Sequence, residues 1–243
     1  MGRFRFVPIA FAALAAVSCS SGGTPHANSS PSPTPASQSS TAPSAGATGT
    51  IGYVGCSNTH DAIGGYEAAG GKRFWPVIGD YQGGTVALWA AGISDPSNIY
   101  WSKFKQALGA QPTTTFWFQF CAHPDDSEQT NYDGAVAVIA EIQRLVPGAT
   151  VYVSPINGFV APHVCSLTGA DGPALMKALA DRLATEGKAQ RGPDLGDLLS
   201  FGGRKASAGA TAQNTQTADD CHPNDAGRLF LGKNLRAFPA FAG

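Results

Sequence analysis

No two cysteines in the sequence stand as Cys-x-x-Cys and no two histidines as His-x-x-x-His. The spacings of a ready-made zinc site are therefore missing, and neither a metal nor another cofactor is expected. Charged residues are scarce, 14% of the chain, and the formal net charge is only −1. No run of Lys and Arg is dense enough to follow a phosphate backbone, which excludes nucleic acid as an expected partner. Beyond the N-terminal leader no apolar run is long enough to cross a bilayer.

What the chain has at its start is an export signal. Arg3 and Arg5 precede an apolar run from Val7 to Val17, too short for a stable membrane span, and Ala16-Val17-Ser18-Cys19 follows. Small residues before a cysteine at the end of such a run resemble a lipobox. Residues 1–19 are therefore read as a lipoprotein signal, with Cys19 as the lipidated residue at the outer face of the cell membrane. An ordinary secretory signal cut near Ala15 or Ser18 is the alternative, and it would make the protein secreted. Residues 20–50 are mostly Ser, Pro, Thr, Ala and Gly, with no aromatic residue and no carboxylate. Such a composition buries too little apolar surface to offset its ordering entropy, and a disordered tether is expected. Removing Arg3 and Arg5 from the 16 basic residues leaves 14 against 17 acidic ones, a net charge of −3 for the exported part.

Residues 51–243 have the length of one domain with a substantial core. Strands are expected over 51–55, 74–78 (weakened by Pro76), 113–120 and 150–156. Helices are expected after Ser97 and after Asp133, over 173–188, and after Asn224. Strands separated by helices pair in parallel through right-handed crossovers, giving a three-layer α/β/α sandwich of flavodoxin-like kind. Its site would lie at the carboxyl ends of the strands.

Two short blocks carry chemistry. Gly55-Cys56-Ser57-Asn58-Thr59 follows the first apolar run and would present the Ser57 hydroxyl at a strand end. Asp219-Asp220-Cys221-His222-Pro223-Asn224 places an acid three residues before a histidine, so one short segment holds both a base and a group to orient it. Together the blocks resemble the SGNH, or GDSL-type, hydrolases, whose first block reads Gly-Asp-Ser-Asn/Leu and whose last reads Asp-x-x-His-Pro-Asn. The resemblance implies a parallel α/β/α fold and a serine ester hydrolase with Ser57 as nucleophile, His222 as base and Asp219 as its partner. It also implies oxyanion donors at the Ser57 amide and at a glycine after the second strand, for which Gly84 fits. The third block of the family departs here: Gln119-Phe120-Cys121-Ala122 lacks the expected asparagine, leaving Gln119 or Asn157 as substitutes.

Besides Cys19 there are Cys56, Cys121, Cys165 and Cys221, and in an exported chain two disulfides are the default, with three possible pairings. A flavodoxin-like order makes the strands ending at Cys56 and Cys121 neighbours, which favours Cys56–Cys121 and leaves Cys165–Cys221. His60, Asp61, His123 and His163 lie near the expected site but are read as surroundings of it. Two functions follow: an extracellular, membrane-anchored esterase acting on a small-molecule, lipid or glycan ester, or a catalytically retired domain of the same fold that binds an acylated or glycan ligand at the cell envelope. Trp75, Trp89, Trp101 and Trp117 are compatible with core positions or with sugar platforms.

Overall fold

The protein is described from a computed structural model covering residues 50–77, 83–160, 164–199, 216 and 221–243. Apolar β-branched and aromatic runs form the strands β1 (Gly52–Val54), β2 (Thr115–Phe120) and β3 (Thr150–Pro155). A further strand, β4 (Gly158–Phe159), lies outside their sheet, while β5 (Gln190–Arg191) completes it in the order β1-β2-β3-β5, all parallel. On the far side of β1, Ile51 makes a single parallel bridge to Phe74. Phe74 is as much of the expected 74–78 strand as is seen among the described residues; Ile78 lies outside them. The placement of this chain segment and of β2 on either side of β1 is the flavodoxin-like order. A small second sheet pairs β4 with β6 (Asp197–Leu198).

Alternate residues of the strands face opposite helical layers. Trp117 contacts Phe74 and Phe241, and its indole N–H donates to Ser154 Oγ at 3.0 Å. That face receives α1 (Ser57–Ala68) and α6 (Asp225–Ala237), which pack against each other. On the other face Phe116 meets Trp75 and Phe104, the latter on α3 (Ile99–Ala110). A series of helix contacts joins α2 (Val86–Ala91) to α4 (Glu128–Leu145) and α4 to α5 (Gly172–Thr185). The parallel sheet flanked by helices is the architecture expected from the alternation of elements.

Several boundaries differ from expectation, two of them through a capping side chain. Helix α3 starts after Asn98, whose Oδ1 accepts the N–H groups of Tyr100 and Trp101, rather than after Ser97. Helix α4 starts after Ser127, whose Oγ accepts the Thr130 N–H, a turn and a half before Asp133. The helix expected over 173–188 ends at Thr185, before Gly187 at φ +69°. Helices α1 and α2 are additional to those expected from the sequence. Helix α1 contains Gly64 and Gly65 and has no apolar stripe of the usual period, so nothing local announces it. All four tryptophans are core residues, at most 2% exposed, so none of them offers a sugar platform.

Candidate functional site

Ser57 stands at the first position of α1, immediately beyond the strand-to-helix corner that ends β1. The corner is fixed from several sides. Gly55 O accepts both the Gly84 N–H at 2.9 Å and the Trp89 indole N–H at 2.8 Å. The Cys56 N–H donates to Thr59 Oγ1 at 3.0 Å, and that hydroxyl donates to Gln119 Oε1 at 2.8 Å. Gly83, at φ +70°, lies so close that a Cβ there would meet Gly55 O at 2.1 Å. Only glycine tolerates both the conformation and the approach.

His222 reaches the same place from the other end of the chain, 165 residues later, and its Nε2 lies 2.8 Å from Ser57 Oγ. Three ties hold its segment. Cys221 is bonded to Cys165, the Asn224 N–H donates to Gln216 O at 2.9 Å, and Asn224 Oδ1 caps α6 by accepting the Gly227 N–H at 3.0 Å. Cys56 is bonded to Cys121, so both disulfides have the pairing that the strand order favoured, and each fixes a residue next to one member of the Ser57–His222 pair.

The helices behind the pair are in direct backbone contact. A Cβ on Gly65 of α1 would meet Arg228 O at 1.7 Å, and one on Gly232 of α6 would meet Gly65 C at 1.9 Å. Between this contact and the Ser57–His222 pair, Arg228 Nε lies 2.8 Å from Asp61 Oδ1. Asp61, one turn after Ser57, is thus tied to α6. It is a structural neighbour of the pair.

The remaining candidates are distributed unevenly. The Gly84 N–H, expected as an oxyanion donor, is committed to Gly55 O and would have to leave it to serve that role. Gln119 is fully buried; its Oε1 accepts from Thr59 and its Nε2 donates to Pro155 O at 3.4 Å, so its amide braces the corner. Asn157 is also buried, beyond the end of β3, and its Oδ1 has no hydrogen-bond partner among the described residues. His123 forms a surface pair with Asp125 at 3.4 Å. His60 packs edge-on against Tyr53, and burial pushes its pKa down to about 4, so it stays neutral near pH 7. Asp219, Asp220 and His163 lie outside the described residues, as do Cys19 and the whole of the segment before Thr50. Among the described residues no group of three or more His, Cys, Asp or Glu is arranged to hold a metal ion.

Chemically, the pair has the ingredients of nucleophile activation. The hydroxyl is half-buried and in hydrogen-bond contact with an imidazole, and it sits at the positive end of α1. The N–H groups of Ser57 and Asn58 precede the first hydrogen bonds of the helix, which Thr59 and His60 make to Cys56 O. They have no intrahelical acceptors.

No protein-family profile matches the chain, and no curated protein matches it either. Among solved structures, the chain is similar to a putative SGNH hydrolase from Slackia heliotrinireducens, at 17% identity and a TM-score of 0.48, with 78% of this chain and 97% of that one covered.

Proposed function

We propose that the chain is an exported serine ester hydrolase of SGNH type, tethered to the cell membrane through a lipid on Cys19. The observation that carries the catalytic part is the 2.8 Å contact between Ser57 Oγ and His222 Nε2. In this reading Ser57 Oγ attacks the ester carbonyl while its proton passes to His222 Nε2. The negative charge that develops on the carbonyl oxygen is met by the Ser57 N–H and the positive end of α1. The tetrahedral intermediate collapses, the C–O bond to the alcohol breaks, and the alcohol leaves with the proton held by His222. Water then attacks the acyl-enzyme carbonyl and gives a proton to His222; the bond between the acyl carbon and Ser57 Oγ breaks, that proton passes from His222 to Oγ, and the water oxygen leaves in the acid product. Asp219 is assigned to orient the imidazole, on its spacing from His222.

A ligand-binding domain without turnover is the second reading, favoured by one observation. Two groups expected to serve the oxyanion, the Gly84 N–H and the Gln119 amide, are engaged in holding the corner. Covalent labelling by a fluorophosphonate separates the two, because that reagent phosphonylates an activated serine and spares ordinary hydroxyls. One equivalent incorporated at Ser57 supports the hydrolase, and an unlabelled folded protein supports the binding domain. For the anchor, mass spectrometry of the native N-terminal peptide is expected to show acyl groups on Cys19. An unmodified peptide beginning elsewhere would leave a secreted protein.

A further inference from the structure

Apart from the Ser57–His222 pair, the molecule holds a cavity of about 340 Å³ at the carboxyl end of β3, within the size range of small-ligand sites. Neither Ser57 nor His222 lines it. Its walls are apolar at Ile156, Phe159, Val164 and Leu195, and polar at Asn157, Lys177, Asp194 and Asp197. Walls of both kinds select a ligand with polar groups on an apolar body, and the placing of the polar groups decides which ones.

One side of the cavity accepts hydrogen bonds. Asn157 is 1% exposed, and its Oδ1 has no hydrogen-bond partner among the described residues. A buried acceptor left unpaired is costly, and in most folded proteins a protein group, a water or a ligand satisfies it. Next to it, Gly158 on β4 is in register with Asp197 on β6, and the Asp197 carboxylate lies over the Gly158 backbone, where a Cβ would meet its Oδ1 at 2.1 Å. Asp197 makes no ion pair among the described residues.

The other side is positive. Gly169, Ala170, Pro173, Ala174 and Lys177 bring the start of α5 to the cavity wall. The N–H groups of a first helical turn have no intrahelical acceptor, and the side chain of the N-cap, Asp171, does not accept them here. The positive end of the helix dipole therefore stands at this wall. Lys177 and Arg191 pair with Asp181 and Asp194 in a network of two cations and two anions whose charges cancel. Left unmatched at the cavity are the end of α5 on one side and the Asp197 carboxylate with Asn157 Oδ1 on the other.

We infer that this cavity binds a free amino acid with an apolar side chain. Its carboxylate lies at the first turn of α5, its ammonium at Asp197 and Asn157 Oδ1, and its side chain against Ile156, Phe159, Val164 and Leu195. A simple carboxylate would leave Asp197 and Asn157 without a donor, a simple amine would leave the helix end without an anion, and a polyol would set hydroxyls against the apolar wall. The site is separate from Ser57, and the inference stands with or without hydrolysis there.

The test titrates the full chain by calorimetry with leucine, with isocaproate, which lacks the ammonium, and with isoamylamine, which lacks the carboxylate. Saturable leucine binding is expected, about tenfold or more tighter than that of either analogue. Asp197→Asn keeps the shape of the side chain and removes its charge, so leucine should weaken about tenfold or more while isocaproate binds no more weakly than before. Ala174→Phe fills the cavity from an exposed wall position and should weaken all three ligands. Circular dichroism first establishes which variants are folded. No saturable leucine binding by the wild type, either analogue or maltose binding as tightly as leucine, or undiminished leucine binding in a folded variant overturns the inference. Fluorophosphonate labelling of Ser57 is run alongside. Leucine binding without labelling keeps this site and removes the hydrolase reading, and labelling without leucine binding does the reverse.

Discussion

At the residue scale the decisive contact is a hydroxyl beside an imidazole, and its consequences are directly measurable. Ser57→Ala is expected to abolish fluorophosphonate labelling and ester turnover. His222→Ala leaves the hydroxyl in place but removes the proposed base, so kcat should fall by roughly three to six orders of magnitude. Turnover by folded Ser57→Ala at the wild-type rate would rule out the assigned nucleophile. His60 carries a separate expectation. Its folded pKa of about 4 lies below its ordinary value of 6.5, so between these values the unfolded chain binds a proton that the folded protein refuses. The resulting stability is fully present above pH 6.5 and is lost as pH falls toward 4, by on the order of 3 kcal/mol. Urea unfolding across this range should show the slope in the wild type and a shallower one in His60→Gln. Equal slopes would place the acid sensitivity elsewhere.

The helices α1 and α6 set the geometry at the next scale up. Ser57 begins one and His222 stands two residues before the N-cap of the other, so the distance between them depends on how closely the two helices pack. Gly65 and Gly232 permit backbone contact, and the Asp61–Arg228 ion pair lies across the same interface. Gly65→Ala would gain close to 1 kcal/mol in intrinsic helix propensity, yet its Cβ meets backbone, which cannot move aside cheaply. A net loss of about 1–3 kcal/mol by chemical denaturation is expected. A drop in kcat should accompany it in the molecules that remain folded, as His222 is displaced from Ser57. A more stable variant with unchanged turnover would show that the glycine contact does not control the pair. The same scale explains why α1 was illegible in sequence. Its glycines and scattered polar residues suit a helix only when a second helix presses against them, and α6 lies more than 150 residues away.

For the whole molecule, the two disulfides close the loops between positions separated by 65 and 56 residues. Each should stabilise the fold by roughly 4 kcal/mol in the chain-entropy model. Because both flank the Ser57–His222 pair, reduction is expected to lower the melting temperature and to diminish labelling together. Non-reducing peptide mapping gives the connectivity directly. Labelling that survives full reduction at an unchanged rate would show that the corner and the histidine segment hold their places without the covalent ties.

The alternation of strands and helices, the strand order and the cysteine pairing it favours could all be read from sequence, because they follow from local periodicity and from the handedness of crossovers. The blocks around Ser57 and His222 were legible for a related reason: each is a short-range pattern, and the fold brings the hydroxyl of one within 2.8 Å of the imidazole of the other. What sequence could not convey depends on contacts between distant segments. Gln119 and Gly84 were candidates for the oxyanion, and only the packed structure shows that Thr59 and Gly55 claim them. The four tryptophans became core residues because aromatic area is buried wherever the layers meet, whatever chemistry each ring could perform in the open. Local sequence therefore determined which groups exist for chemistry. Tertiary packing decided which of them remain available, because a hydrogen-bonding group in a dense interior goes to whichever partner the fold brings nearest.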